Sequence, residues 1–471
     1  MTDANPGIPE FAVLGHPNEG KSSLVSTLTE DDSVKISPIP GETTQCRIFP
    51  VTIDGREIVR FTDTPGFQAP LKTLDWFKKN GGQGPDALTS FIKENSSDPL
   101  FKDECELLSP LARGAGIIYV ADGSRPMRSG DRAEMNILRL TGLPRMAVIN
   151  SKSETPDFSQ DWENEFKNHF NKVVYFNAHT ASYRERINLL EALQSIQNQD
   201  NDTLIQVIDA FKEDWDRRNT LTAEIILNLI NEALTHSVNG KITDPSLKHQ
   251  EKKKLQNIWS VDIKAMEHRA HQNIRALFKH NIFNISMPDH SLLTNDLFDS
   301  ETWKVLGLSR TELAASAATL GAAAAVTVDL ALAGHSLGLF AAIGGAVGAG
   351  SALLGAKKIG KTKFLGKHLG GYVLKAGPHK NLQFMMILMD RALIFYSHII
   401  NWAHGKRLSE KNRELPVKQT GYVSNMEKSL LSDLMAYFSV INSRHPEKKE
   451  RALKKAHGAL KTILDRLSQE A

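Results

Sequence analysis

The sequence predicts an α/β domain with a mostly parallel sheet flanked by helices, followed by an all-helical domain. Short apolar runs and turn residues alternate with helical segments over residues 8–200, and a glycine-rich loop joins the first run to a helix. From residue 203 onward, apolar residues recur instead at helical spacing. A chain of 471 residues has room for two or three such units, and we predict domains at 8–200 and 203–471.

The glycine-rich loop at residues 15–22 matches the pattern G-x-x-x-x-G-K-[ST]. It follows an apolar run at 11–14 and precedes a helical segment, which is the context that a phosphate-binding loop requires. Backbone N–H groups would bind the phosphates, Lys21 would reach the β- and γ-phosphates, and Ser22 would ligate Mg²⁺. The predicted nucleotide-binding residues here are Gly15, Asn18, Glu19, Gly20, Lys21, Ser22 and Ser23.

A second motif, Asp-Thr-Pro-Gly at residues 63–66, follows a strand-like run. An acid at the end of a strand can hold the Mg²⁺ shell, and the N–H of Gly66 can sense the γ-phosphate. The same four residues are also good turn formers, which is the structural alternative. Because a phosphate-binding loop precedes it, we interpret the motif as nucleotide-sensing.

These motifs, together with Gly-Glu-Thr-Thr at 41–44 and Phe67, resemble the Era/TrmE/EngA class of translation-factor-type P-loop GTPases over roughly residues 8–195. The resemblance implies a Ras-like P-loop G domain that binds GTP or GDP and hydrolyses GTP as a conformational switch. It implies Thr44, rather than Thr43, as the threonine that closes over the metal. The implied catalytic residues are Lys21, Thr44, Asp63 and Gly66, and the implied Mg²⁺ ligands are Ser22, Thr44 and Asp63.

The resemblance also bears on the rate of hydrolysis. Phe67 stands where Ras-type enzymes keep a catalytic glutamine, and Gln68 is one position out of register. In several relatives the asparagine that corresponds to Asn18 helps to bind K⁺, which supplies charge in the role of an arginine finger. We therefore expect slow intrinsic hydrolysis, stimulated by K⁺, by homodimerisation or by a protein effector.

The base-recognition elements depart from the family pattern. Where relatives have Asn-Lys-x-Asp, this chain has Asn150 followed by Lys152 and Glu154. In a shifted loop Lys152 would cover the base and Glu154 would read it; the alternative is relaxed guanine selectivity. The next base-contacting element would include Ala178. GTP is favoured over ATP. The long stretch between Phe67 and residue 106 is either a surface excursion or a mobile effector segment, and the sequence does not decide between them.

The C-terminal region is predicted to be all-helical, with helices at 203–237, 245–280, 381–404, 422–442 and 447–469. Within it, residues 313–356 contain 16 Ala, 8 Gly and a single charged residue, Asp329. This segment divides at 334–336 into two apolar arms, each long enough to cross a bilayer, and lysines follow it. Two alternatives stay open: a membrane-inserting hairpin, which we favour, and a tightly packed hairpin in the domain core.

Two hypotheses from different classes follow. The first is a GTPase switch in the cytoplasm that associates with anionic lipid at the inner membrane through its helical domain. The second is a ribosome- or RNA-associated GTPase like Era, in which the basic helix near Lys248 binds phosphate backbones. A nucleotide-binding scaffold without turnover is a third alternative. A formal net charge of +3, only two cysteines and no signal-peptide pattern agree with a cytoplasmic G domain.

Overall fold

The computed structural model describes most of the chain outside the apolar segment. The described residues are 8–29, 45–80, 83–150, 157–177, 183–196, 202–242, 245–278, 293, 295–299, 302, 305–308, 363–364, 367–368, 372–379, 381–401, 421–443 and 445–470. Several predictions lie outside these residues. They concern Thr43, Thr44, Lys152, Glu154, Ala178 and the hairpin at 313–356.

A six-stranded sheet forms the centre of the N-terminal domain. Its strands are β1 Glu10–Leu14, β2 Arg47–Ile53, β3 Arg56–Asp63, β4 Gly116–Asp122, β5 Arg145–Asn150 and β6 Lys172–Phe176. Their spatial order is β2-β3-β1-β4-β5-β6, and every neighbouring pair is parallel except β2 with β3. The predicted mostly parallel sheet is therefore confirmed. Ligands of open α/β sheets bind beyond the carboxyl ends of such strands, where β1 and β3 lead into the two motifs.

The helices of this domain cover both faces of the sheet. They are α1 Lys21–Thr29, α2 Pro70–Asn80, α3 Pro85–Asn95, α4 Lys102–Ala112, α5 Ser129–Leu140, α6 Ser159–Phe166 and α7 Tyr183–Ile196. One apolar cluster combines α1 and α7 with one sheet face, and a second combines α2–α6 with the other. The central strands β1, β4 and β5 are buried on both faces and therefore read in the sequence as continuous apolar runs, whereas the edge strands β2 and β6 are mostly exposed or half-buried.

The long stretch after Phe67 contains the three helices α2, α3 and α4. Aromatic rings join them: Phe77 stacks on Phe91 at 5.4 Å between ring centroids, and Trp76 and Phe101 meet Phe91 edge-on. Such aromatic pairs contribute about 0.5–1.5 kcal/mol each beyond the area that they bury. The stretch is thus a packed helical layer, and α2 also packs against α5.

The C-terminal region is helical, as predicted. Its long helices are α8 Asp202–Thr235, α9 Lys248–Leu277, α10 Leu382–Ile400, α11 Lys428–Val440 and α12 Pro446–Glu470. "All-helical" needs one correction, because β7 Val238–Ile242 pairs antiparallel with β10 Tyr372–Ala376. The strands β8 Lys363–Phe364 and β9 Lys367–His368 form a second, minimal pair. About 130 residues separate β7 from β10 in the sequence, so no local turn signal announces this pairing.

Helix α8 contributes to both cores. Leu204, Val207, Ile208 and Phe211 belong to the apolar cluster of the sheet domain, whereas the helix beyond Trp215 belongs to that of the helical region. The predicted boundary at residues 200–203 remains a prediction. In packing terms, one continuous helix begins in the first core and ends in the second.

Helix α10 is the centre of the helical core. Among the described residues it is the one helix that is long and apolar enough to cross a bilayer, and 94% of its most apolar window is buried inside the protein. Its polar residues are engaged: Asp390 accepts hydrogen bonds from the N–H groups of Gly307, Tyr422 and Val423 at 2.6–2.8 Å. A core helix explains these observations without a membrane.

Candidate nucleotide-binding site

The phosphate-binding loop lies between β1 and α1 in a conformation that only some residues can adopt. Gly15 has φ = 139° and Gly20 has φ = 101°, and a Cβ at Gly15 would lie 2.2 Å from the carbonyl oxygen of Val120. Asn18 has φ = 68°, a left-handed conformation that asparagine tolerates better than most residues. The close approach of β4 and the positive φ values explain why glycine stands at these two positions.

Lys21, Ser22 and Asp63 converge beyond the ends of β1 and β3. The ammonium group of Lys21 donates to the carbonyl oxygens of Gly15 and His16 at 2.9 and 3.0 Å. The hydroxyl of Ser22 donates to Oδ2 of Asp63 at 2.8 Å. The register pairs Val13 with Asp63, which places the acid beside the start of the loop.

Asp63 is an unusually situated carboxylate. It is 3% exposed, and its Oδ1 atom is buried without a hydrogen-bond partner. Burial raises the pKa of Asp63 above its usual value, while the nearby Lys21 charge and the Ser22 hydroxyl offset part of that rise. A buried carboxylate oxygen with no donor, next to a serine hydroxyl, is the hard-oxygen environment that Mg²⁺ prefers. The residues therefore fit the metal that the motif implies.

The Asp-Thr-Pro-Gly segment is fastened against the phosphate-binding loop. Thr64 donates through its hydroxyl to the carbonyl of Val13 at 2.8 Å. A Cβ on Gly66 would lie 2.6–2.9 Å from atoms of Pro17. Any larger residue at position 66 would separate the two motifs. Glycine therefore keeps the backbone N–H of this segment close to the phosphate loop.

Glu19 has its side chain turned away from the loop, towards the end of β4. Its carboxylate, 3% exposed, accepts from Nε of Arg125 at 2.5 Å and from the N–H of Asp122. Arg125 in turn donates to both oxygens of Asp131 at 2.8 Å. Burial alone would lower the pKa of Arg125, but the hydrogen bonds and charges of Asp131 and Glu19 outweigh burial and raise that pKa. The side chain of Glu19 thus braces the loop, and its backbone remains the group predicted to meet phosphate.

Asn150 links the base-recognition strand to the same loop. It ends β5, is 1% exposed, and donates through Nδ2 to the carbonyl of Glu19 at 2.9 Å. Of the other predicted base-contacting residues, Lys152, Glu154 and Ala178 lie outside the described part of the chain, as does Thr44. The structure therefore brings Asn150 to the loop, and the shifted base loop remains a prediction.

Phe67 and Gln68 differ sharply in environment. Phe67 is 1% exposed and belongs to the apolar cluster beneath α2. Gln68 is exposed, and its backbone N–H donates to Oε1 of Glu104 on α4 at 2.8 Å. Phe67 is therefore a core residue, which leaves the catalytic glutamine position without a polar group.

Three residues at the site, Arg125, Glu104 and Glu134, belong to none of the sequence motifs. Glu134 is fully buried on α5, accepts from the Tyr119 hydroxyl at 2.8 Å, and lies 3.5 Å from Nδ1 of His16 in the loop. Each of these residues reaches the site from a distant part of the chain, and none belongs to a spaced motif. Glu134 lies in an amphipathic helix with several other charged residues, so the sequence does not distinguish it from a solvent-exposed glutamate.

Comparison with known proteins agrees with this geometry. Residues 10–151 match the family described as "50S ribosome-binding GTPase". GTPase Era of Ureaplasma urealyticum is 24% identical over 247 residues, which cover 51% of this chain and 72% of that protein. GTPase Der of Nostoc punctiforme and tRNA modification GTPase MnmE of Petrotoga mobilis are 27% and 26% identical over 150 and 149 residues. The chain spans 27% of the length of each of these two relatives. The N-terminal domain is a P-loop GTPase domain of the Era/TrmE/EngA class.

The C-terminal region identifies the family more narrowly. Residues 165–466, well over half of the chain, match the family described as "Domain of unknown function (DUF3482)", and the chain belongs to that family. A crystal structure of Aquifex aeolicus Era bound to GDP and aluminium fluoride is 18% identical and covers 57% of this chain and 89% of that one. Its TM-score is 0.30.

Proposed function

We propose that this protein is a GTP-hydrolysing conformational switch whose nucleotide state is transmitted to its helical region. The observation that supports it is the convergence of Lys21, Ser22, Asp63 and Gly66 at one edge of the sheet. A γ-phosphate there would meet positive charge and backbone N–H groups, and its removal would release the segments that those contacts hold.

Each residue of the two motifs would have a separate role in binding GTP. Lys21 would turn from its loop carbonyls to the β- and γ-phosphates, and Gly66 would present its N–H to the γ-phosphate. Ser22, Asp63 and Thr44 would hold Mg²⁺, which would supply positive charge against the phosphates when bound. With Phe67 buried, no side chain at that position orients water, so we propose that intrinsic hydrolysis is slow.

A bound K⁺ would supply the missing charge beside Asn18. In this proposal GTP hydrolysis runs faster in KCl than in NaCl at equal ionic strength, and Asn18→Ala removes the difference. Steady-state phosphate release with Mg²⁺ and GTP measures it. Equal rates in both salts would remove the K⁺ assignment and leave activation to dimerisation or to a protein effector.

Guanine selectivity is a separate proposal that rests on the shifted base loop. If Glu154 reads the guanine edge, Glu154→Ala weakens GTP far more than ATP. Competition of unlabelled ATP and GTP for a fluorescent GTP analogue gives the two affinities. A ratio unchanged from that of the parent chain contradicts the shifted loop.

Membrane association through residues 313–356 is the part of the proposal that rests on sequence. The apolar arms and the lysines that follow them favour anionic lipid at the cytoplasmic face of a membrane. Flotation with anionic liposomes at high salt, with GTP, a non-hydrolysable analogue or no nucleotide, tests it against a chain lacking 313–356. Absence of flotation in every state would reject the membrane proposal.

An RNA-associated function is the second candidate, favoured by one observation. The start of α9 carries a run of basic residues on its surface, with Lys248, Lys253 and Lys254 exposed. Such charges bind phosphate backbones in a salt-dependent way. Retention of the protein on ribosomal RNA that falls steeply between 50 and 200 mM salt, roughly 10³-fold for six phosphate contacts, would support it.

A further inference from the structure

Helix α4 contacts both segments that flank the nucleotide-sensing motifs. We call residues 45–46, just after the predicted switch threonine Thr44, the first switch flank. Residues 67–69, just after Gly66, are the second switch flank. Glu104 and Glu106 lie two residues apart on α4, and each of them contacts one flank.

Glu104 holds the second switch flank. Its Oε1 atom accepts from the backbone N–H groups of Gln68 at 2.8 Å and Ala69 at 2.5 Å. These N–H groups precede α2, so the carboxylate lies at the N-terminus of that helix, where negative charge is favoured. Glu104 is 0% exposed, and its other oxygen, Oε2, has no hydrogen-bond partner.

Glu106 holds the first switch flank. Its Oε1 accepts from the backbone N–H of Cys46 at 2.9 Å, and its backbone carbonyl accepts from the thiol of Cys46 at 3.2 Å. Burial, with the charge of Glu106 next in size, raises the pKa of Cys46 to about 12. The thiol therefore stays protonated at neutral pH and serves as a donor.

The helix that carries both glutamates is a single well-packed element. Leu107, Leu108 and Leu111 of α4 are each 0% exposed in the core of the sheet domain. The contact of Glu104 with the second switch flank and the contact of Glu106 with the first switch flank therefore come from the same rigid helix. Hydrogen bonds from backbone N–H groups to a charged carboxylate are among the stronger hydrogen bonds in proteins.

We propose that α4 couples the two switch flanks, and that Glu104 and Glu106 are positioning residues for GTP hydrolysis. This inference rests on the proposed switch function. Glu104 sets the position of the backbone that follows Gly66, and Glu106 sets that of the backbone that follows Thr44. Because Glu104 and Glu106 are only two residues apart on α4, a displacement of one flank that moves the helix also moves the attachment point of the other flank.

The test compares four variants in the full-length chain: Glu104→Ala, Glu104→Gln, Glu106→Ala and the matched control Asp103→Asn. Asp103 lies on the same helix, next to Glu104, and among the described residues it forms no hydrogen bond or ion pair with either flank. We expect kcat for GTP to fall about tenfold in the two alanine variants, the scale of one charge-assisted hydrogen bond. GDP affinity should change little. The melting temperature of Glu104→Ala should fall, because two backbone N–H groups lose a buried charged acceptor, so kcat is expressed per folded molecule. Glu104→Gln, which keeps an acceptor oxygen, should recover part of kcat.

Hydrogen exchange gives the readout that a merely structural role would not move. In Glu104→Ala we expect faster exchange in the peptide that contains residues 66–71 and also in the peptide that contains 45–50, which Glu104 does not touch. In Glu106→Ala we expect the reverse cross-effect. The measurement is made both without nucleotide and with a non-hydrolysable GTP analogue.

The outcomes separate the two proposals. If the parent chain neither binds nor hydrolyses GTP, the proposed function fails, and the cross-effect without nucleotide still decides whether α4 couples the flanks. If the parent chain is active but the glutamate variants match Asp103→Asn in kcat, the positioning role is wrong. Faster exchange confined to the flank that each glutamate touches would overturn the coupling.

Discussion

Buried carboxylates are used differently in the sheet domain and in the helical region. Among the described residues, the buried carboxylate oxygens without a hydrogen-bond partner belong to Asp63, Glu104 and Glu134, all in the sheet domain. In the helical region, by contrast, both oxygens of Asp390 accept backbone N–H groups from two separate loops. Because an unmet buried acceptor costs about 1–3 kcal/mol, the sheet domain retains groups that do not favour its own folding. Of these residues, Asp63 lies where a metal would be held, whereas Glu104 holds the second switch flank and Asp390 holds the helical core together.

The largest effect on this comparison is expected from Lys21→Ala. Loss of the loop lysine removes positive charge from the site of phosphate transfer, so turnover should fall by roughly 10³-fold or more. The expected change in unfolding free energy is small beside that loss of turnover, about 1 kcal/mol, the scale of the hydrogen bonds that the ammonium group donates to the carbonyls of Gly15 and His16. Single-turnover hydrolysis and urea denaturation check the two statements. Turnover equal to that of the parent chain would remove the phosphate-loop assignment.

The opposite pattern is expected for Asp390→Ala. Three backbone N–H groups lose a charged acceptor in a buried place, which should lower the unfolding free energy by about 3 kcal/mol or more. Hydrolysis per folded molecule should stay near that of the parent chain, since Asp390 lies in the helical core. Urea denaturation with the turnover rate of the native fraction measures both. A stable but inactive variant would contradict the division between the two regions.

Asp63→Asn sharpens the comparison further. Burial raises the pKa of Asp63, so ionisation of this carboxyl disfavours the folded state. The protonated form contributes stability below the usual pKa of aspartate. That stability is lost as the pH rises through the raised pKa. Removing the charge should therefore stabilise the free protein at neutral pH, by an amount on the order of 1 kcal/mol, while Mg²⁺-dependent turnover falls. Thermal denaturation between pH 4 and 8, without nucleotide, is the measurement. A variant less stable than its parent at pH 7 would contradict this.

The smallest effect is expected from Arg217→Ala. Arg217 on α8 pairs with Asp54 in the β2–β3 turn at 2.9 Å, but both side chains are more than half exposed. Exposed ion pairs contribute about 0–1 kcal/mol, and salt screens them. Arg217 also pairs with Asp214, 2.7 Å away in the same helix. We therefore expect Arg217→Ala to lower the unfolding free energy by about 0.5 kcal/mol, and this loss should disappear in 1 M salt. A larger loss would mean that the β2–β3 turn is bound to α8 more strongly than one exposed ion pair allows.

The sequence was most informative where function depends on local backbone chemistry. Gly15, Lys21 and Ser22 lie within eight consecutive residues, and Asp63 and Gly66 share a second short motif. Glycine is required there by positive φ or by close approach, and such requirements leave a readable pattern. The helical region was predictable for a similar reason, since α8–α12 carry apolar residues at a period that packing against one core requires.

The sequence was uninformative where distant segments meet. Arg125 reaches Glu19 across 106 positions, and β10 reaches β7 across more than a hundred, with neither spacing fixed by local geometry. Gly240, in the middle of β7, weakens the strand pattern, and a Cβ there would lie 2.9 Å from Leu255 of α9. The role of Glu104 was hidden in the same way, because a glutamate on an amphipathic helix reads as solvent-exposed until the fold buries it.

The continuity of α8 has a mechanical consequence. A helix of 34 residues is about 50 Å long, and this one begins in the first core and ends in the second. It also packs against β2, the strand that follows the first switch flank. If the N-terminal end of α8 stays in place and the whole helix tilts by about 5°, its C-terminal end is displaced by about 4 Å. Amplification of that kind needs no hinge, only that the helix does not bend.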